Sequence, residues 1–132
     1  MSVSFDKSCI YDIGSEQGDV NKLFGIGYFP HHRFKSVRVG WNYNLQTKLI
    51  DLFSYWYAEN NLTFNYLEST ELYKNNIISI DIEKDKHTIH TPSVIQEIYL
   101  PSNGNGYLLR EYFGGQTKAP HDISINSHLV II

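Results

Sequence analysis

From Lys35 to Tyr43 every second residue is apolar. Val37, Val39, Trp41 and Tyr43 alternate with Ser36, Arg38, Gly40 and Asn42. Successive side chains of an extended chain point to opposite sides, so a period of two marks a strand with one buried face. The same period returns in Leu62, Phe64 and Tyr66, and in Ile78, Ile80 and Ile82. It returns again in Ile123, Ile125, Ser127, Leu129 and Ile131.

Turn residues separate these runs. Asn60-Asn61 suits a tight reversal, since Asn tolerates positive φ; Asn44 to Thr47 and Lys74-Asn75-Asn76 read as further turns, and Lys84-Asp85-Lys86 as a polar turn. Thr88 to His90 reads as a short return strand. Pro92 and Pro101 bracket a strand over Val94 to Leu100, at ends where proline is tolerated. Ser102-Asn103-Gly104-Asn105-Gly106 is the strongest hairpin signal, followed by a strand over Tyr107 to Phe113 and the Gly114-Gly115 break. About eight strands at short spacing, with no βαβ rhythm, predict an all-β, antiparallel β-sandwich, jelly-roll-like in kind. The 132 residues suit a single domain, 1–132, with 1–19 as an N-terminal arm or edge segment.

Lys48 to Ala58 admits two readings. As a helix it gives a stripe of Leu45, Leu49, Leu52, Phe53 and Trp56. As a strand it is apolar on both faces, with Leu49, Phe53, Tyr55 and Tyr57 on one and Ile50, Leu52, Trp56 and Ala58 on the other. Its aromatic density favours the strand. A strand covered on one side only should alternate, so its second face predicts a cover: a protein partner, the N-terminal arm, or a sugar ring. Trp41, Tyr55, Trp56 and Tyr57 are the candidate binding residues. Leu129-Val130-Ile131-Ile132 is apolar on both faces too, and reads as a central strand or a subunit contact.

Charge and cysteine content narrow the function classes. The formal net charge of −3 supplies no basic field for nucleic acid, and no Lys/Arg cluster marks a membrane surface. The N-terminus has no basic start followed by an apolar run, so no signal peptide is expected, and synthesis is expected in the cytoplasm. Cys9 is the single cysteine, which rules out an intramolecular disulfide and suits a buried inert thiol.

Catalytic signatures are weak. His31-His32 and His121-Asp122 would hold a metal or run acid–base chemistry only if their loops met. His87 and His90 are expected near solvent beside a turn. Asp51, Glu68, Asp81, Glu97 and Glu111 are single charges on or near strands. Gly25 and Gly27 lack the rest of a dinucleotide fingerprint and point to a bulge or a close backbone approach. No metal or cofactor is expected.

Phe24 to His32 with Ser36, Arg38, Gly40 and Trp41, and Tyr112 to Gly115 with Ala119 to Ile123, resemble small, uncharacterised β-rich proteins of crAss-like bacteriophages and their bacterial hosts. The resemblance covers these motif residues, implies a phage structural or accessory role, and carries over no functional residue. Read physically, Arg38, His121 and Asp122 form an expected structural clasp, with Arg38 paired to the carboxylate. The leading expectation is a non-enzymatic β-sandwich subunit that binds a protein partner or its own copies, within a larger assembly such as a virion. A carbohydrate-binding module and a small histidine-dependent enzyme are the alternatives.

Overall fold

The computed structural model describes residues 1–102, 104–114 and 118–132. These form three antiparallel sheets, and no helix among them reaches seven residues. None is long and apolar enough to cross a membrane. The strands are β1 (Ser2–Phe5), β2 (Asn21–Tyr28), β3 (Lys35–Asn44), β4 (Leu49–Ala58), β5 (Asn61–Thr70), β6 (Asn76–Ile77), β7 (Ser79–Ile82), β8 (His87–His90), β9 (Ile95–Ile98), β10 (Gly106–Leu109) and β11 (Ile125–His128).

The largest sheet runs β10-β2-β3-β4-β5, a meander of four consecutive strands with β10 added at one edge. Lys48–Ala58 is thus a strand over Leu49–Ala58. Tight turns make the meander possible. Glu59 and Asn60 both take positive φ at the β4–β5 turn, where Asn lowers the strain. Asn44 Oδ1 accepts from the Gln46 and Thr47 amides at the β3–β4 turn.

Two smaller sheets, β11-β1-β6 and β7-β8-β9, complete the fold. Val3 and Phe5 of β1, Ile89 of β8 and Ile98 of β9 share one buried cluster with Val37, Val39 and Trp41 of β3 and Ile50 and Leu52 of β4. Trp41 is 1% exposed, with its ring centroid 5.1 Å from Phe5 and 6.0 Å from Tyr11. The segment expected as an arm or edge therefore supplies the middle strand of a sheet. It covers the Trp41 face of the meander.

The C-terminal run is not a central strand: β11 is an edge beside β1, and Val130, Ile131 and Ile132 lie exposed beyond it. Residues 129–132 and Met1 rim a cleft of about 530 Å³ with Phe24, Ile26, Ile80 and Leu108. The Gly114-Gly115 break and the Ser102 to Gly106 hairpin fall partly outside the described residues, which omit Asn103 and Gly115.

Candidate functional site

The second face of the meander carries the site. Residues paired directly across antiparallel strands share a face, so the register defines its rows. One row reads Tyr107, Gly27, Ser36, Tyr57, Leu62 across β10, β2, β3, β4 and β5. The next reads Leu109, Gly25, Arg38, Tyr55, Phe64. A third reads Lys22, Gly40, Phe53, Tyr66.

A bulge between Leu52 and Phe53 sets the phase of β5. The unpaired residue opposite is Leu67, which turns into the core. Tyr66, Phe64 and Leu62 are left on the second face. The rings there form a ladder. Phe64 stacks on Tyr55 at 6.3 Å and 23°, and Phe53 meets Phe64 and Tyr66 edge-on at 6.3 and 6.2 Å. Tyr55 meets Tyr57 edge-on at 6.0 Å. Phe64 is 51% and Tyr66 57% exposed.

Next to the ladder the surface drops into glycine. A side chain at Gly25 would overlap the Val37 carbonyl and the stem of Arg38, and the Tyr107 ring lies over Gly27. This is the close backbone approach expected of these glycines, and a bulge at Leu23 accompanies it. Arg38 lies in the trough, 8% exposed, and its Nη2 donates to the Arg110 carbonyl at 3.1 Å. Among the described residues its Nε and the Ser36 Oγ, two residues apart on this face, have no hydrogen-bond partner.

Cations gather here. Lys22 Nζ donates to the carbonyls of Val20 (2.7 Å) and Gly114 (3.2 Å) and lies 4.5 Å from the Tyr55 ring centroid. Burial, then the Arg38 charge, pushes the Lys22 amine down to about 8, against the pull of Asp19. Burial pushes the Tyr55 hydroxyl up to about 12, reinforced by Tyr57 and opposed by Arg38 and Arg33. His32 is held below its ordinary value by burial first, then by Arg38, Arg33, His31 and Lys22.

The expected binding residues divide by strand parity. Tyr55 and Tyr57 lie on this face. Trp41 is enclosed in the core, and Trp56 pairs with Val37 on the core side and packs against the cluster. The expected clasp also divides. Arg38 bonds Arg110, while His121 Nε2 donates to the Ser8 carbonyl at 2.7 Å. No ion pair of Asp122 occurs among the described residues. The tie that does form joins Ser8 to the C-terminal segment: the Ser124 amide donates to Ser8 Oγ at 2.7 Å.

The histidines do not form one site. His31 Nδ1 accepts from the Phe34 amide, His32 is held low by burial and then by the charges of Arg38 and Arg33, and His121 holds Ser8. The solvent position expected for His87 is corrected: it is 0% exposed, with Nε2 2.6 Å from the Tyr28 hydroxyl and Nδ1 3.1 Å from the Leu100 carbonyl. His90 faces the other way and pairs with Asp81 at 3.0 Å. Among the described residues no group of three His, Cys, Asp or Glu side chains is placed to hold a metal ion.

Lys22 was not singled out by sequence reasoning, and His32 only as a metal or acid–base candidate with His31, His121 and Asp122. Their only signal is position: Lys22 precedes the apolar run of β2, and His32 sits six residues before Arg38. Comparison with protein-family models, curated proteins and solved structures gives no match.

Proposed function

We propose that this chain is a non-enzymatic binding subunit that engages a protein through the second face of its meander. One observation carries the reading. Six side chains, Phe53, Tyr55, Tyr57, Leu62, Phe64 and Tyr66, form one apolar ladder, and its outer members face solvent. Aromatic side chains and arginine are the residues that anchor protein interfaces, because they bury much area for little lost freedom. The three sheets are read as the two layers of a sandwich, since all three contribute to one core. Membership of a larger assembly, such as a virion, fits this face and the resemblance in the sequence.

The test is a photo-reactive phenylalanine analogue in place of Phe64, irradiated in the cells that make the protein. A discrete protein adduct is expected. It should vanish with Tyr66→Arg and should not form when the analogue replaces Tyr99, which is exposed elsewhere. Absence of any protein adduct at Phe64 overturns the reading.

The near-parallel rings of Tyr55 and Phe64 favour a second reading, a carbohydrate platform, because a sugar ring stacks on aromatic faces. A glycan array supports it if binding is lost with Phe64→Ala, and removes it if no glycan binds.

A further inference from the structure

The outer rings of the ladder lie on a sheet edge. β5 is the last strand of its sheet and pairs only with β4 among the described residues. One row of its backbone N–H and C=O groups is therefore unpaired. Asn61 to Tyr66 are exposed at every position. Such an edge is a template for another strand unless something blunts it.

The other edges are blunted. β6, β7, β9, β10 and β11 are each four residues or shorter, and β7 and β9 carry Asp81 and Glu97. β5 has ten residues. Its segment from Asn61 to Leu67 contains no charge and no proline. Of the usual devices against edge pairing it has only the bulge at Leu67, which lies past the run from Asn61 to Tyr66.

The segment is also self-complementary. An antiparallel pair of copies about a two-fold axis at Phe64 sets Phe64 against Phe64, Leu62 against Tyr66 and Thr63 against Asn65. Side-chain parity then keeps Leu62, Phe64 and Tyr66 of both copies on one face, where the two ladders join. The polar pair Thr63 and Asn65 falls on the other face. No like charges meet, and a closed two-fold contact uses one patch twice.

We propose that a second copy of this chain pairs with β5 along Asn61 to Tyr66, antiparallel and centred on Phe64, to give a continuous ten-stranded sheet. This rests on the reading of the aromatic face as a protein-binding surface and names the partner. A different protein strand on the same edge is the competing outcome.

Cysteine cross-linking reads the register. Directly opposed residues have Cα atoms about 4.5 to 5.5 Å apart, within disulfide reach, while residues offset by two positions lie beyond it. Under mild oxidation Phe64→Cys should give a disulfide-linked dimer and Thr63→Cys should not, whereas Thr63→Cys mixed with Asn65→Cys should. Cys9 is buried, with its thiol pushed up to about 11, and stays silent. Light scattering of the wild-type chain should give about twice its 15.3 kDa. Thr63→Lys with Asn65→Lys should raise the dissociation constant about tenfold or more while the circular dichroism melt is kept. A wild-type monomer at all concentrations, or Thr63→Cys linking to itself as fast as Phe64→Cys, overturns the pairing. If the photo-reactive residue at Phe64 still captures another protein, self-pairing fails alone. If it captures nothing and no dimer forms, both fail.

Discussion

The Lys22 ammonium lies 4.5 Å from the centroid of the Tyr55 ring and donates to the Val20 and Gly114 carbonyls. The side chain thereby ties β2 to β4 across β3 and fastens the segment that follows β10. Attraction of a cation to a ring face offsets part of the cost of burying it, but the amine is still held down at about 8 by burial and by Arg38.

The contribution of Lys22 to stability should therefore rise with pH above 8. The folded amine loses its proton near 8 and the unfolded one near 10.5. Between these values the unfolded chain binds more protons, so raising the pH favours folding. Below about 8 both states are protonated and the cost is fully present. Cys9 and Tyr55, both pushed up, act in the opposite sense at higher pH. The difference in melting temperature between the wild type and Lys22→Met cancels them. It should shift in favour of the wild type from pH 8 to 10. A constant difference would show that Lys22 keeps an ordinary titration.

Among the described residues Arg38 has no ionic partner, so it should behave as a buried unpaired charge. Replacing such a group by an apolar one of similar shape is often neutral or stabilising. Arg38→Met is therefore expected to melt at or above the wild-type temperature. Gly25→Ala forces a methyl group into the Val37 carbonyl and the Arg38 stem, and should cost about 1 to 3 kcal/mol. In the double variant part of that loss should return. A large loss from Arg38→Met alone would point to an ion pair.

The tie between the chain ends should depend on Ser8 and His121 rather than Asp122. Ser8 Oγ accepts from the Ser124 amide, and the Ser8 carbonyl accepts from His121. Ser8→Ala is expected to lose about 1 kcal/mol, the usual net worth of a hydrogen bond. Asp122→Ala should stay within about 0.5 kcal/mol of the wild type, as exposed substitutions do. Chemical denaturation of both variants decides it, and equal losses would restore a role for Asp122.

The period of two was legible in the sequence, although β3 is buried on both faces and Asn61 to Tyr66 of β5 are exposed on both. Val37 to Tyr43 and Leu62 to Tyr66 follow the period of two on the page and in space. β2 was not, because nearly all of its residues are buried on both sides and Gly25 and Gly27 interrupt the apolar rhythm. The double-faced character of Leu49 to Ala58 was legible, and parity separates Tyr55 and Tyr57 from Trp56. Yet the pattern alone does not say which face meets the core. That choice comes from β1, whose Phe5 reaches Trp41 across a separation no local period records. Burial of Lys22 and His87 depends likewise on distant partners, Gly114 for one and Tyr28 for the other.

Core and face aromatics should separate cleanly by stability. Trp41→Ala removes a fully enclosed ring and should cost about 3 to 5 kcal/mol. Phe64→Ala removes a half-exposed ring with two ring neighbours and should cost about 1 kcal/mol. Equal costs in urea denaturation would place Phe64 in a core rather than on a binding face.

His87 should make the fold sensitive to acid. A carbonyl only accepts, so Nδ1 carries the proton that reaches Leu100, and Nε2 of the neutral ring accepts from the Tyr28 hydroxyl. A second proton on Nε2 would turn the Tyr28 hydroxyl into an acceptor and leave its own proton without that partner in a buried site. Burial, helped by the Lys35 charge and opposed by the Leu100 carbonyl, accordingly holds the ring below its ordinary 6.5. The unfolded chain binds the proton first as pH falls, so this contribution is full above about 6.5 and is lost as pH falls through the lower folded value. Tyr28→Phe leaves Nε2 without its donor and should cost about 1 to 3 kcal/mol at pH 7.5. It should also shrink the acid sensitivity, because no hydroxyl then holds the ring neutral. Nitrogen chemical shifts of His87 between pH 5 and 8 check the titration directly, and an ordinary midpoint near 6.5 would overturn it.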